Sequence, residues 1–191
     1  MRHSALLAEL SGRLYYKAAL ALHTGLRWGE VHGLAWTDIV LDSDQPTLSV
    51  RRSFQGRPKN QASAATVPLG IEAAALLRRW CREQAANDND PRWLFPGVHG
   101  RPLVRAPYAD ARKIHDATWR TGISKHVTPH VFRHTFGIWV YEQTGDPKIV
   151  QRLMRHASFH TSMLYVHDRR ELSTVVDALP RLTIGMHLRA V

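Results

Sequence analysis

Apolar residues recur at helical spacing from about Leu6 to His23, and Thr24-Gly25 supplies a stop in which glycine takes positive φ. A second short helix, Trp28 to Trp36, is predicted to follow at once. Thr47 to Phe54 alternates and is partly β-branched, Gly56-Arg57-Pro58 is turn chemistry, and Thr66-Val67-Pro68-Leu69 reads as a returning strand. A small β-hairpin or three-stranded sheet is expected there. Ile71 to about Ala86, rich in Ala, Leu and Arg, predicts a helix that ends in the exposed polar loop Asn87-Asp88-Asn89-Asp90-Pro91. After Trp93-Leu94-Phe95-Pro96 and a Gly/Pro loop, Pro107 to Thr121 predicts another helix stopped by Gly122. Thr128-Pro129 then gives an N-cap with proline at the first helical position, opening a helix to about Gln143. Asp146-Pro147 repeats that signal for a helix through Met154, and Ser158 caps a helix expected to carry Tyr165. The pattern has no internal repeat and no low-complexity tract. It predicts a single mainly α domain over residues 1–191 with a small antiparallel β-sheet, an α+β arrangement.

Composition narrows the partner. The 191 residues are 44% hydrophobic, enough for an ordinary core, and carry a net charge of +10. A basic surface gains affinity for a polyanion by releasing condensed counterions, so nucleic acid leads and an anionic membrane is the weaker option. No apolar run approaches the roughly 20 residues of a spanning helix, and no charged-then-apolar leader opens the chain. A cytoplasmic protein, associated with the nucleoid, is expected. Cys81 is the sole cysteine, which excludes an internal disulfide and a Cys-based zinc site.

The candidate chemistry sits in separated segments. His130 and Arg133 are three apart on a predicted helix and share a face, while Phe132, Phe136, Trp139 and Val140 form an apolar stripe expected to face the core. Arg27 lies at the junction of two helices, where a guanidinium fork can meet phosphate oxygens in bidentate fashion. His126, His134, His160 and His167 invite a zinc reading, but neither His-Glu-x-x-His nor paired-cysteine spacing accompanies them. No metal and no cofactor is expected. Between Arg101 and Arg133 seven basic residues face only Asp110 and Asp116, which suits a DNA-facing surface.

Three of these segments together resemble the boxes of the tyrosine recombinases, the family of phage integrases, Cre and the Xer proteins. They are Thr24-Gly25-Leu26-Arg27-Trp28-Gly29-Glu30, Thr128-Pro129-His130-Val131-Phe132-Arg133-His134-Thr135, and Leu153-Met154-Arg155-His156 followed by Tyr165 nine residues after the histidine. The similarity runs from about Leu14 to His167 and implies the catalytic-domain fold of that family. It also implies a site-specific DNA strand transferase working through a 3′-phosphotyrosine without metal. By the resemblance, Arg27 and Arg133 clamp the scissile phosphate, His156 donates to it, His130 takes the proton of the nucleophile Tyr165, and Glu30 buttresses the site. Lys59, eight residues before Val67 and the one lysine of five in the hairpin, corresponds to the lysine that protonates the leaving 5′-oxygen. His134 is expected to support the arginine helix through a hydrogen bond.

The chain also departs from the pattern. Arg155 stands where the family usually has glycine before the box-III histidine, and would either tighten DNA contact or distort the turn that aims His156. Ala65 stands where an arginine often precedes the Val-Pro-Leu strand. Residues 1–12 are too few for the N-terminal core-binding domain of most members, so that domain is expected to be absent and DNA binding weakened. Leu172, Val175, Val176 and Leu179 recur at helical spacing in the tail of residues 168–191, which in relatives docks on a neighbouring protomer. Double-stranded DNA and self-association through that tail are the expected partners. A type IB topoisomerase-like enzyme and a DNA-binding or regulatory module that has lost catalysis are the alternatives.

Overall fold

The first expected helix is two helices. In the structure, a computed structural model that describes residues 2–53, 56, 65–86, 92–97, 108–123 and 127–166, α1 (Arg2–Ala8) is separated from α2 (Gly12–Thr24). Gly12 turns the chain between them at φ +53°, a conformation that glycine adopts without a Cβ penalty. α2 ends as expected at Gly25, φ +63°, whose N–H donates to the Ala21 carbonyl at 3.0 Å.

The next helix, α3 (Trp28–His32), stops four residues short of the predicted end. Tertiary contacts claim the backbone there. Leu94 N–H donates to the Leu34 carbonyl at 3.0 Å, Ala35 bridges Trp93, and a Cβ on Gly33 would meet the Arg52 carbonyl at 2.9 Å. A 3-10 turn, Trp36–Asp38, leads into β1 (Ile39–Val40), a strand that the periodicity did not show. β2 (Thr47–Val50) and β3 (Ala65–Pro68) complete an antiparallel sheet of order β1-β2-β3, with Leu48 opposite Val67. β2 ends at Val50 rather than Phe54, because Ser53 closes a tight pair of backbone hydrogen bonds with Gly56 at 2.8 Å. Phe54, Lys59 and the expected loops at 87–91 and 98–107 lie outside the described residues.

α4 (Ile71–Ala86) buries Ala73, Ala74, Leu77, Trp80 and Gln84, one face at helical spacing. α5 (Tyr108–Arg120) buries Ile114, Ala117 and Thr118. α6 (Pro129–Thr144), α7 (Pro147–Met154) and α8 (Phe159–Met163) follow. Of the three N-cap residues named from the sequence, Asp146 makes its bond, accepting from Lys148 N–H at 2.7 Å; Thr128 and Ser158 occupy cap positions without a side-chain bond. α8 stops at Met163, so Tyr165 stands in the turn beyond the helix and not on it. α2 is the central helix, packed on α4 and α6, and α7 bridges α6 to α8. The core gathers Leu20, Leu26, Leu34, Leu48, Leu77, Phe95 and Ile114, each essentially inaccessible. Buried Lys17 of α2 pairs with Asp110 of α5 at 2.9 Å, fixing α5 beside α2. No helix among the described residues is long and apolar enough to cross a membrane.

Candidate active site

Two helix C-termini aim their carbonyls at one side chain. The last turns of helices leave carbonyls without intrahelical partners and carry partial negative charge. Arg133 of α6 satisfies two of them, donating from Nη1 to the carbonyl of Gly25, the α2 cap, and from Nη2 to that of Met154, the last residue of α7. It is 2% exposed. This corrects the expected orientation of α6. The buried positions are Phe132, Arg133, Thr135 and Gly137, whereas Trp139 of the expected core stripe is 37% exposed. The guanidinium turns inward because the two carbonyls are there to receive it. Burial, followed by the nearby Arg27 and Arg155 charges, pulls the Arg133 pKa down to about 9, still cationic at neutral pH.

Gly25 makes this convergence possible. A Cβ there would collide with the Phe136 ring and come within 3.1 Å of Met154 Sδ, so α6 approaches α2 over a bare backbone. Two residues later the chain presents Arg27. Its backbone N–H and Nη1 donate to the two oxygens of Glu30, at 2.8 and 2.7 Å, and its Nη2 reaches the Arg155 carbonyl at 3.4 Å. Glu30 is buried and accepts a third bond, from Arg155 Nη2 at 2.7 Å. The Arg27 side chain keeps 31% of its surface open.

α7 ends on Arg155 in the left-handed conformation, φ +54°, and the following residue is His156. Its Nδ1 lies 2.8 Å from the hydroxyl of Ser162, a residue of α8 with no exposed surface. That bond leaves Nε2 for a ligand. With the serine hydroxyl donating to Nδ1, the proton sits on Nε2 and His156 is a donor there. Burial, then Arg133, Arg27, Arg155 and His130, lowers its pKa to about 4. His130 is lowered as well, by desolvation first and then by Arg133, His134 and Arg27.

Tyr165 closes the site. Its ring lies parallel to that of His156, centroids 6.1 Å apart and planes 8° from parallel, and 5.0 Å from that of His134. Among the described residues His134 makes a ring contact with Tyr165. Burial raises the Tyr165 pKa, and Arg133 works against that rise. Of the sequence candidates, Arg27, Glu30, His130, Arg133, His134, His156 and Tyr165 come together; Lys59 lies outside the described residues. Sequence reasoning missed Ser162 and Gly137. A glycine inside a helix hints at close approach, and a Cβ on Gly137 would lie 2.7 Å from Tyr165 Cζ. For Ser162 the sequence held no signal.

Chemically, among the described residues three guanidinium groups lie near one carboxylate, Glu30, which bonds Arg27 and Arg155, in a partly dehydrated site with two neutral imidazoles and a phenol beside them. The local charge is unbalanced. A phosphate diester is the type of anion that would balance it while accepting bonds from the arginine forks. Among the described residues no three His, Cys, Asp or Glu side chains converge as a metal-holding group, and His126 and His167 lie outside them.

Comparisons with known proteins bear on this geometry. The model of the Phage integrase family matches residues 3–171. Tyrosine recombinase XerC of Xylella fastidiosa (strain M23) is 35% identical over 156 residues, covering 81% of this chain and 49% of XerC. The XerC of Chromobacterium violaceum is 36% identical over 184 residues, covering 96% of this chain and 55% of its own. The chain therefore spans about half the length of the curated relatives it matches. Among solved structures, XerA recombinase superposes with a TM-score of 0.73 at 27% identity, covering 94% of this chain and 62% of that one. A lambda integrase dimer bound to a COC′ core site gives a TM-score of 0.61 at 18% identity, over 96% of this chain and 61% of that one, a likeness of fold.

Proposed function

The chain belongs to the phage integrase family, and from that premise we propose that it is the catalytic domain of a site-specific DNA recombinase, cutting and rejoining strands through Tyr165. The observation that carries the proposal is the convergence of Arg27, Arg133, His156 and Tyr165 around one unbalanced cationic centre.

In this reading Arg27 and Arg133 hold the nonbridging oxygens of the scissile phosphate, and His156 Nε2–H adds a third donor. Attack by the Tyr165 oxygen forms a P–O bond and builds charge on a five-coordinate phosphorus, which preplaced cations stabilise more than the ground state. The phenol proton goes to His130, whose lowered pKa keeps it neutral and able to accept. At pH 7 a tyrosine of ordinary pKa is about 0.1% phenolate, and burial makes this one harder to ionise, so the base and the Arg133 charge are both needed. The bond to the 5′-oxygen breaks, and Lys59 returns a proton to that oxygen. The products are a 3′-phosphotyrosine and a free 5′-hydroxyl. The stored bond lets another 5′-hydroxyl religate without ATP. Double-stranded DNA is the proposed substrate, and the tail of residues 168–191 is proposed to join protomers on it, which would place the protein at the nucleoid.

A nicked duplex that traps the cleaved strand tests this. A denaturant-resistant protein–DNA adduct, kept in EDTA and lost in Tyr165→Phe, is the expected result. Site-independent relaxation of supercoiled plasmid would point to a topoisomerase. Absence of any adduct on verified target DNA would leave a binding module.

A further inference from the structure

We infer that Arg155 is a positioning residue for Arg27, acting through Glu30, and does not touch DNA; this rests on the strand-transfer reading of the same site. Arg155 sits where relatives of the resembled pattern carry glycine, and it is the non-glycine residue with positive φ among the described residues. Glycine would adopt that backbone without penalty, so holding arginine there requires that its side chain be used.

The use is visible in a closed ring of three residues. Arg155 Nη2 donates to Glu30 Oε2 at 2.7 Å, Glu30 accepts from Arg27 Nη1 at 2.7 Å and from Arg27 N–H at 2.8 Å, and Arg27 Nη2 returns to the Arg155 carbonyl at 3.4 Å. Side chain and backbone of Arg155 therefore fix opposite ends of the same arrangement. Exposure separates the roles within it. The Arg155 side chain is 3% exposed and Glu30 equally so, whereas Arg27 is 31% exposed. Within this ring Arg27 is the outward member, while Arg155 is enclosed with Nη2 on Glu30 and Nη1 on the Leu153 carbonyl.

Charge gives the ring a second consequence. Arg27 with Glu30 alone is a neutral pair, poorly suited to stabilise the negative charge that builds on the phosphorus in the transition state. A second guanidinium on the same carboxylate restores one net positive charge, and Arg27 is the member that faces outward. The family glycine supplies the turn without this second guanidinium. The same left-handed residue also sets the direction of His156, so one position governs two of the groups around the phosphate.

The test is a double-mutant cycle on the full chain with single-turnover cleavage of nicked duplex, DNA affinity measured separately and melting temperature as the folding control. Arg155→Met and Arg155→Gly are expected to slow cleavage about tenfold or more with DNA affinity within about threefold. Arg155→Lys recovers part of the rate. In a Glu30→Gln background Arg155→Met adds less than about twofold, because both changes break the same link. An independent readout is the ¹⁵N spectrum of the guanidinium groups in the DNA-free chain, where the restrained Arg27 signal should become motionally averaged in Arg155→Met. A loss of affinity equal to the loss of rate would make Arg155 a DNA contact and overturn the proposal. So would a lowered melting temperature with unchanged cleavage. Averaging of Arg27 in a chain whose wild type forms no adduct would uphold the positioning role and sink the strand-transfer reading.

Discussion

The ring of Tyr165 rests on the bare backbone of Gly137, so closely that a Cβ there would stand 2.7 Å from Cε1 and Cζ and 3.1 Å from the hydroxyl. The notch fixes the proposed nucleophile against α6, one turn beyond Arg133. Gly137→Ala should move the ring. Alanine is better than glycine in a helix by about 1 kcal/mol, so the fold gains while the site loses. The expected outcome is an unchanged or raised melting temperature, DNA affinity within about threefold, and adduct formation slower by up to about 100-fold, the cost of misplacing a reacting atom by an ångström. An adduct rate equal to wild type would show that the ring need not sit there.

Ser162 holds His156 from behind. The residue is fully buried and its hydroxyl is 2.8 Å from Nδ1, so a hydroxyl that donates there leaves the ring proton on Nε2. Ser162→Ala leaves Nδ1 unpaired, at about 1–3 kcal/mol, and lets the ring rotate or change tautomer. Cleavage should fall about tenfold, with the loss in rate rather than in DNA affinity. Ser162→Thr, which keeps the hydroxyl, is expected to retain more activity than alanine. Equal rates for all three proteins would remove the serine from the mechanism.

What the sequence made legible follows from how local each signal is. α4, α6 and α7 were readable because periodicity, Pro129 and Pro147 act within a few residues of where they stand. The shortened α3 was not, because Leu94 and Arg52, far along the chain, take over its backbone. The same division runs through the site. Box motifs exposed Arg27, His130, Arg133, His156 and Tyr165, since their spacing resembles a known pattern. The burial of Arg133 depends on carbonyls 108 and 21 residues away, and no helical wheel of α6 contains them. Arg155 was noticed as a departure, but its pairing with Glu30, 125 residues distant, belongs to the fold.

Arg133 and Arg27 should therefore fail differently when each is replaced by lysine. Arg133 satisfies two buried carbonyls, and a single ammonium cannot reach both, so Arg133→Lys should lower the unfolding free energy of the DNA-free chain by about 1–3 kcal/mol. Arg27 is partly open to water and its Glu30 partner keeps Arg155, so Arg27→Lys should cost under about 1 kcal/mol. Both should slow cleavage by about 10²- to 10³-fold, the cost typical of losing a transition-state donor. Urea unfolding and single-turnover cleavage measure the two quantities separately. A large stability loss in Arg27→Lys, or none in Arg133→Lys, would reverse the division of labour.

His156 makes the stability of the free chain depend on pH in a defined direction. Burial first, and then the charges of Arg133, Arg27 and Arg155 with His130, hold its pKa near 4 in the fold, against an ordinary value of about 6.5 in the unfolded chain. Between those values the unfolded chain binds more protons than the folded one, so stability rises with pH. The contribution is complete above about pH 6.5 and is lost as pH falls toward 4. The full shift corresponds to about 3 kcal/mol, and solvent at the partly open ring reduces it to roughly 1–2 kcal/mol. His23, His32 and His130 are lowered as well and tilt stability the same way, so the comparison must be with His156→Asn. Urea unfolding of both proteins from pH 4.5 to 7.5 should show wild type losing stability relative to the variant as pH falls. Target DNA should shrink the difference, because a phosphate against Nε2 favours the protonated ring and raises its pKa. Parallel curves for the two proteins would mean that His156 does not lie in the cationic site.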